Sequence, residues 1–255
     1  MEYFIVFVAG VIIGSFLNVC IYRTPLGKSI VRPRSHCPFC EHTIGWFDNI
    51  PLISFFLLRG RCRHCGRRIP LRYFLVEFVT AVSGIALLLY FSLSLEFFVY
   101  WFFTCVLIAV VGIDIEHQEI PDIITVPGIF IGVALMTVFR LDGSSVHLGS
   151  FMNSVLGVLA GGCSMFLLGV AGELVFRKEA LGGGDVKLMG MIGAVLGWKL
   201  VLLTFFLAPL LGVGVGLFMK IRFRKEEIAY GPYLALGAMI SLMYGNRILD
   251  CLFGF

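Results

Sequence analysis

The sequence predicts an all-α polytopic membrane protein of about eight transmembrane helices, with a cytoplasmic zinc-binding loop between the first two. Three observations predict it. The 255 residues are 59% hydrophobic and only 14% charged, where an ordinary soluble domain carries about a quarter charged residues. Apolar runs of about 20 residues recur along nearly the whole chain. Ten of the twenty Lys and Arg fall between Arg23 and Arg72, with only Glu41 and Asp48 to offset them, so this segment carries a net charge of +8.

The first span is expected over Tyr3 to Ile21. No Lys or Arg precedes it and Arg23 onward is strongly positive, the opposite of a cleaved signal peptide, so it stays in the membrane with its N-terminus outside. The basic loop follows, to Arg72. Further spans are expected at Tyr73 to Phe91, Leu95 to Ile113, Ile123 to Phe139, Phe151 to Phe176, Val186 to Trp198, Leu200 to Lys220 and Tyr233 to Leu249. The sixth is shorter than the ~17 residues a span needs, so it is expected to tilt or to start at membrane depth. With the N-terminus outside, the ten loop cations, Arg177, Lys178, Lys187, Lys220, Arg222, Arg224 and Lys225 all fall inside. Only Arg140, Lys199 and Arg247 fall outside. That is the positive-inside asymmetry, and it puts both chain ends outside the cytoplasm. No internal repeat is evident. Glycines within the spans, Gly157, Gly161 and Gly162 among them, read as close helix packing. No nucleotide loop follows a strand.

The basic loop holds Cys37-Pro-Phe-Cys40 and Cys62-Arg-His-Cys65, two CxxC pairs separated by 21 residues. Four thiolates from two such knuckles make the tetrahedral sulfur cage that structural zinc favours. Redox CxxC chemistry is the other reading. So basic a loop has little core of its own, and a metal supplies the missing folding energy. His36, His42 and His64 read as surface residues beside a filled shell. Cys20, Cys105, Cys163 and Cys251 lie singly in apolar segments and read as core packing. The loop's charge is assigned to anionic membrane lipid; no aromatic-basic pattern points to nucleic acid.

Two carboxylates stand at membrane boundaries, where ionisable groups are functional candidates by default. Asp114 closes the third span in Gly112-Ile113-Asp114. Asp185 ends Leu181-Gly182-Gly183-Gly184-Asp185 and opens the sixth. Both fall on the cytoplasmic side of the expected topology. Two close carboxylates do not ionise together easily, so one keeps a proton and the other loses it. That is the acid/base division peptide hydrolysis needs. A helix N-cap at Asp185 and a helix-end charge at Asp114 are the bland readings. Glu77 is either a polar partner within an active cavity or an interfacial carboxylate paired with Arg72. Asn18 either bonds across helices or meets substrate. Lys187 either tunes Asp185 electrostatically or, the preferred reading, marks the inside boundary, and Glu116, His117 and Glu119 read as solvated loop.

The GxGD element (Gly182, Gly184, Asp185) and the D-x6-P-D element (Asp114, Pro121, Asp122) resemble the signatures of the type IV prepilin peptidase family. Gly14-Ser15-Phe16-Leu17-Asn18-Val19, the paired CxxC loop and the stretch Tyr73 through Glu77 match it as well, in order along the whole chain. The resemblance implies a GxGD aspartyl protease of the bacterial inner membrane, its site facing the cytoplasm, which removes the short basic leader of prepilins or pseudopilins after a glycine. It further implies N-methylation of the new N-terminus with S-adenosylmethionine, for pili, type II secretion or DNA uptake. By this resemblance Asp114 and Asp185 are the catalytic pair, with Asp122 the rival of Asp114. The chain then divides into residues 1–22 (first transmembrane helix), 23–72 (zinc-binding loop) and 73–255 (transmembrane protease domain). A non-enzymatic zinc-loop scaffold is the competing class. It has no use for the boundary aspartates or the glycine run. A transporter would hold its ionisable groups nearer the bilayer midplane.

Overall fold

The computed structural model describes residues 1–141, 147–177, 182–223 and 229–254. Lys178, Leu181, Arg224 and Lys225, which entered the sequence reading, lie outside the described residues. The described chain is helical, with only isolated bridges His36–Thr43 and Arg61–Arg68. In lipid a helix satisfies every backbone polar group within one segment, which is what long apolar runs require. The chain forms two compact units, Met1–Gly112 and Ile113–Phe255.

The first unit opens with α1 (Glu2–Arg23), then the loop with a short 3-10 turn (Trp46–Asn49) and α2 (Ile53–Leu57), then α3 (Leu71–Phe91) and α4 (Leu95–His117), in which the unit boundary falls. Pro70 caps α3, its ring fixing the chain's approach. Helices α1 and α3 touch along Gly10 and Gly14, four residues apart on one face. A Cβ at Gly10 would stand 2.6 Å from Ala81 Cα, and one at Gly14 2.6 Å from Glu77 Cα. Small residues on this spacing let backbones meet where lipid gives no hydrophobic drive.

The second unit holds α5 (Asp122–Phe139), α6 (His147–Phe176), α7 (Gly183–Phe223) and α8 (Gly231–Phe253). As one straight helix the 41 residues of α7 would run ~61 Å, twice the hydrocarbon core. It is not straight. Gly197 takes φ 76° and ψ 174°, a region open only to glycine. Met189 O and Val201 Cγ2, which a continuous helix would hold ~18 Å apart, both press on the Cβ position of Gly161. The chain therefore folds back at Gly197. The first arm packs between α5 and α6, with Gly128 against Met191 and Gly157 against Gly193. The second arm packs on α8, where Thr204 Oγ1 donates to Ser241 Oγ at 2.9 Å.

Six described helices are long and apolar enough to cross a membrane: α1, α3, α4, α5, α6 and Gly183–Gly214 of α7. The expected eight is thus matched only roughly, through the division of α7 and the presence of α8. Two readings need correction. Cys163 and Cys251 are exposed on their helices rather than packed in a core, whereas Cys105 is buried. Glu116 and His117 are not loop, because α4 continues to His117.

Candidate active site and candidate metal centre

Asp114 stands one turn before the end of α4 and is only 5% exposed. Its Oδ2 accepts the backbone N–H of Gly231, the first residue of α8, at 2.7 Å. A helix's opening N–H groups have no partner inside the helix and carry its positive end, so a carboxylate there is stabilised. A Cβ at Gly231 would come within 2.6 Å of that oxygen, so a side chain there would push the carboxylate away from the amide. Pro232 follows, needing no N–H of its own in the first turn.

Asp185 lies in the first turn of α7, its N–H donating to Gly182 O at 3.1 Å. It stands close enough to Asp114 for the two charges to interact. Tyr230, immediately before α8, faces the same carboxylate; burial, with Asp185 adding to it, pushes its phenol up to about 12. The hydroxyl therefore remains a proton donor at neutral pH.

The glycine run and the connector between α4 and α5 are joined twice. A Cβ on Gly184 would meet Ile120 Cβ at 2.8 Å, so only glycine lets α7 start against this connector. Lys187 Nζ, one turn further into α7, binds both oxygens of Asp122 at 2.6 and 2.7 Å. Asp122 is thus exposed and held by a cation, and Asp114 is buried beside Asp185. Lys187, read from sequence as a boundary marker, ties the two aspartate motifs together.

Helix α1 brings Asn18 to α3, where its Nδ2 donates to Tyr73 O at 3.0 Å. Glu77, buried on α3, accepts the N–H of Leu52 at 2.7 Å and a hydrogen bond from Ser15. It therefore anchors the loop.

In the loop, the four sulfurs of Cys37, Cys40, Cys62 and Cys65 lie within 4.8 Å of one another. Sulfurs ~2.3 Å from a tetrahedral zinc sit ~3.8 Å apart, and Cys37 Sγ and Cys65 Sγ are 3.9 Å apart. The residues fit a metal. Backbone amides of Cys65 and His64 pull the Cys62 thiol down to about 7, favouring the thiolate a metal binds. The knuckles repeat each other 25 residues apart, although no repeat is evident in the sequence. In the first, Cys37 N–H donates to His42 O, Glu41 N–H to Cys37 O and Ile44 N–H to Ser35 O. In the second, Cys62 N–H donates to Arg67 O, Gly66 N–H to Cys62 O and Ile69 N–H to Gly60 O. Outside the cage, the His42 and His64 rings meet tilted by 35° with centroids 3.6 Å apart, and Arg63 holds the Asp48 carboxyl below the usual carboxylate range.

Residues 8–91 match the bacterial peptidase A24 N-terminal domain, and residues 101–217 match the type IV leader peptidase family. A protein of Aeromonas hydrophila is 35% identical over 96% of this chain and 91% of its own length. The chain belongs to the type IV leader peptidase family. A Bacillus subtilis relative is 35% identical over 96% of both chains. A Myxococcus xanthus relative is 40% identical over 84% of this chain and 62% of its own length. Each of the three is called a prepilin leader peptidase/N-methyltransferase. No solved structure matches the chain.

For a leader peptidase, the sequence reading missed Tyr230 and Gly231. The available signal was the Gly231-Pro232 pair opening an apolar segment, a usual helix start. Nothing local in that pair reveals that its amide meets an aspartate 117 residues away.

Proposed function

We propose that this chain cuts the short basic leader from type IV prepilins or pseudopilins after a glycine, at the cytoplasmic face of a bacterial inner membrane, with Asp114 and Asp185 as the catalytic pair. The observation that carries this reading is the convergence of two carboxylates from separate helices in a member of a peptidase family, one of them buried on the first N–H of α8. The pair shares one proton. The ionised carboxylate removes a proton from water, whose oxygen attacks the scissile carbonyl carbon. The protonated partner then gives its proton to the departing amine as the C–N bond breaks. Tyr230, a neutral donor beside Asp185, is placed to hold a carboxylate or the carbonyl oxygen. Asp122 is assigned to positioning through Lys187.

The names of the relatives support a second step, methylation of the new N-terminus with S-adenosylmethionine as donor. An α-amino group with a pKa near ~8 is partly neutral and nucleophilic at physiological pH. The four cysteines are assigned to a structural zinc, since they fill its shell and leave no open position. The basic loop 23–72 is assigned to the cytoplasm, where it meets anionic lipid, and residues 73–255 to the protease domain.

A cleavage assay on a prepilin in membranes tests the assignment. Asp114→Asn is expected to lose about 10²–10⁴-fold in rate, the range for a general acid or base, and Asp122→Asn less than tenfold. The reverse order would move the catalytic role to Asp122.

A further inference from the structure

The loop of the first unit turns large apolar side chains outward. Ile53, Phe56 and Leu57 stand at i, i+3 and i+4 of α2, hence on one face. All three are exposed, Phe56 and Leu57 by 67% and 73%, and Trp46 in the preceding 3-10 turn by 75%. Ser54, on the other side of α2, is buried. So much apolar surface on one short segment marks an interaction site.

Helix α3 fixes the depth of this surface. Its 21 residues rise ~32 Å, no more than a crossing of the ~30 Å hydrocarbon core requires. The first turns of α3 therefore already lie at the edge of the apolar layer. The loop is tied to those turns. Leu52 N–H donates to Glu77, six residues into the helix or ~9 Å along its axis. The rings of Phe55 and Phe56 each stand 5.4 Å from that of Phe74. Phe74 stacks in turn on Phe78, which is exposed on the flank of α3. One aromatic surface thus runs from α2 onto the side of a helix long and apolar enough to cross a membrane.

The polar groups of the segment are turned the other way. Ile50 N–H donates to Ser54 Oγ, the Ser54 hydroxyl to Phe47 O, and Leu58 N–H to Ser54 O. Leu52 N–H is held by the buried Glu77 carboxylate. Backbone groups satisfied inside and apolar side chains turned out is the arrangement that a lipid surroundings demands.

Charge selects the occupant. Arg59, Arg61, Arg67 and Arg68 follow α2 and are exposed. A second copy of the chain would bring the same cations against them, and a basic leader would be repelled as well. Anionic lipid offers phosphates to the arginines and acyl chains to the rings, with tryptophan suited to the boundary between the two. We propose that Trp46–Leu57 is a membrane anchor, in which Trp46, Ile53, Phe56 and Leu57 enter the acyl layer of the leaflet on the loop's side while the arginines hold lipid phosphates. The inference rests on the reading above that the loop meets anionic lipid, and it adds which residues enter the bilayer.

The test uses the full, zinc-loaded chain in vesicles of phosphatidylcholine and phosphatidylglycerol. Hydroxyl-radical footprinting, read by peptide mass spectrometry, is expected to leave Trp46 and Phe56 as poorly oxidised as Val79 and Val82, which are exposed along α3. Unfolding the chain in denaturant is expected to restore their oxidation. Free oxidation of Trp46 and Phe56 in vesicles, with Val79 and Val82 still protected, would overturn the anchor alone. Oxidation of all four would sink the crossing by α3 and the anchor with it. A benzophenone side chain placed at position 57 identifies the cover. Lipid adducts are expected with and without added prepilin. A crosslinked dimer, or a prepilin adduct that replaces the lipid, would overturn the inference. Because footprinting is done on the wild-type chain, it does not depend on a variant folding. The side of the membrane is decided separately, by reporter fusions within the loop.

Discussion

Asp114 and Asp122 carry the same group eight residues apart, and the fold gives them opposite surroundings. Asp122 faces outward and is neutralised by Lys187. Asp114 is buried on the N–H of Gly231. Only the second setting can hold a carboxylate dry beside another. The closeness of Gly231 to Asp114 yields a prediction: Gly231→Ala, whose new methyl would overlap Asp114 Oδ2, is expected to lower cleavage at least tenfold while the membrane-extracted protein keeps its helical circular dichroism. Wild-type rates from that variant would show that the contact does not hold the carboxylate. At this scale the sequence revealed the acids and the thiols, because each is costly or reactive where it stands. It hid Tyr230 and Gly231, whose roles exist only after α4 and α8 meet. It also left Glu77 and Asn18 undecided, since a lone polar residue near a helix end does not announce its partner.

Elements behave according to how local their cause is. Apolar runs set α1, α3 and α5 to within two residues and the start of α4, whose last turn runs four residues past the expected Ile113, and Pro70 and Pro121 mark two of the starts. The break in α7 depends on one glycine whose conformation the pattern of apolar residues does not encode. A side chain at 197 would be strained at φ 76° and would meet Asn153 Nδ2 at 2.6 Å. Gly197→Ala is therefore expected to destabilise the second unit by about 1–3 kcal/mol, read as a lower midpoint of unfolding in mixed micelles. An unchanged midpoint would mean that the chain does not turn there. The knuckle repeat escaped the sequence because it is a repeat of backbone hydrogen bonds around Cys37 and Cys62, with few identical side chains. Removing the metal with a tight chelator, or replacing Cys62 by Ser, is expected to make residues 30–69 exchange amide hydrogens rapidly while α5 and α6 keep their protection. Elemental analysis should find a single zinc per chain, lost in the variant. A loop equally protected with and without metal would contradict a structural role for zinc.

For the whole molecule, the asymmetry of Lys and Arg predicts that both ends lie outside the cytoplasm. With α7 counted twice at its Gly197 reversal and α8 added, the six strongly apolar helices give eight crossings, an even number. Reporter fusions at the N-terminus and after Gly254 are expected to be active only when exported, and a fusion within the cysteine loop only when cytoplasmic. Opposite behaviour of the loop fusion would place the candidate site on the wrong face for a leader that never leaves the cytoplasm. The central claim, that the paired aspartates make this chain a leader peptidase, is tested most directly by mass spectrometry of a prepilin incubated with membranes holding the wild-type chain or Asp185→Asn. Loss of the leader with the wild type alone is expected. Equal cleavage by both proteins, or by neither while a known prepilin peptidase works beside them, would contradict it.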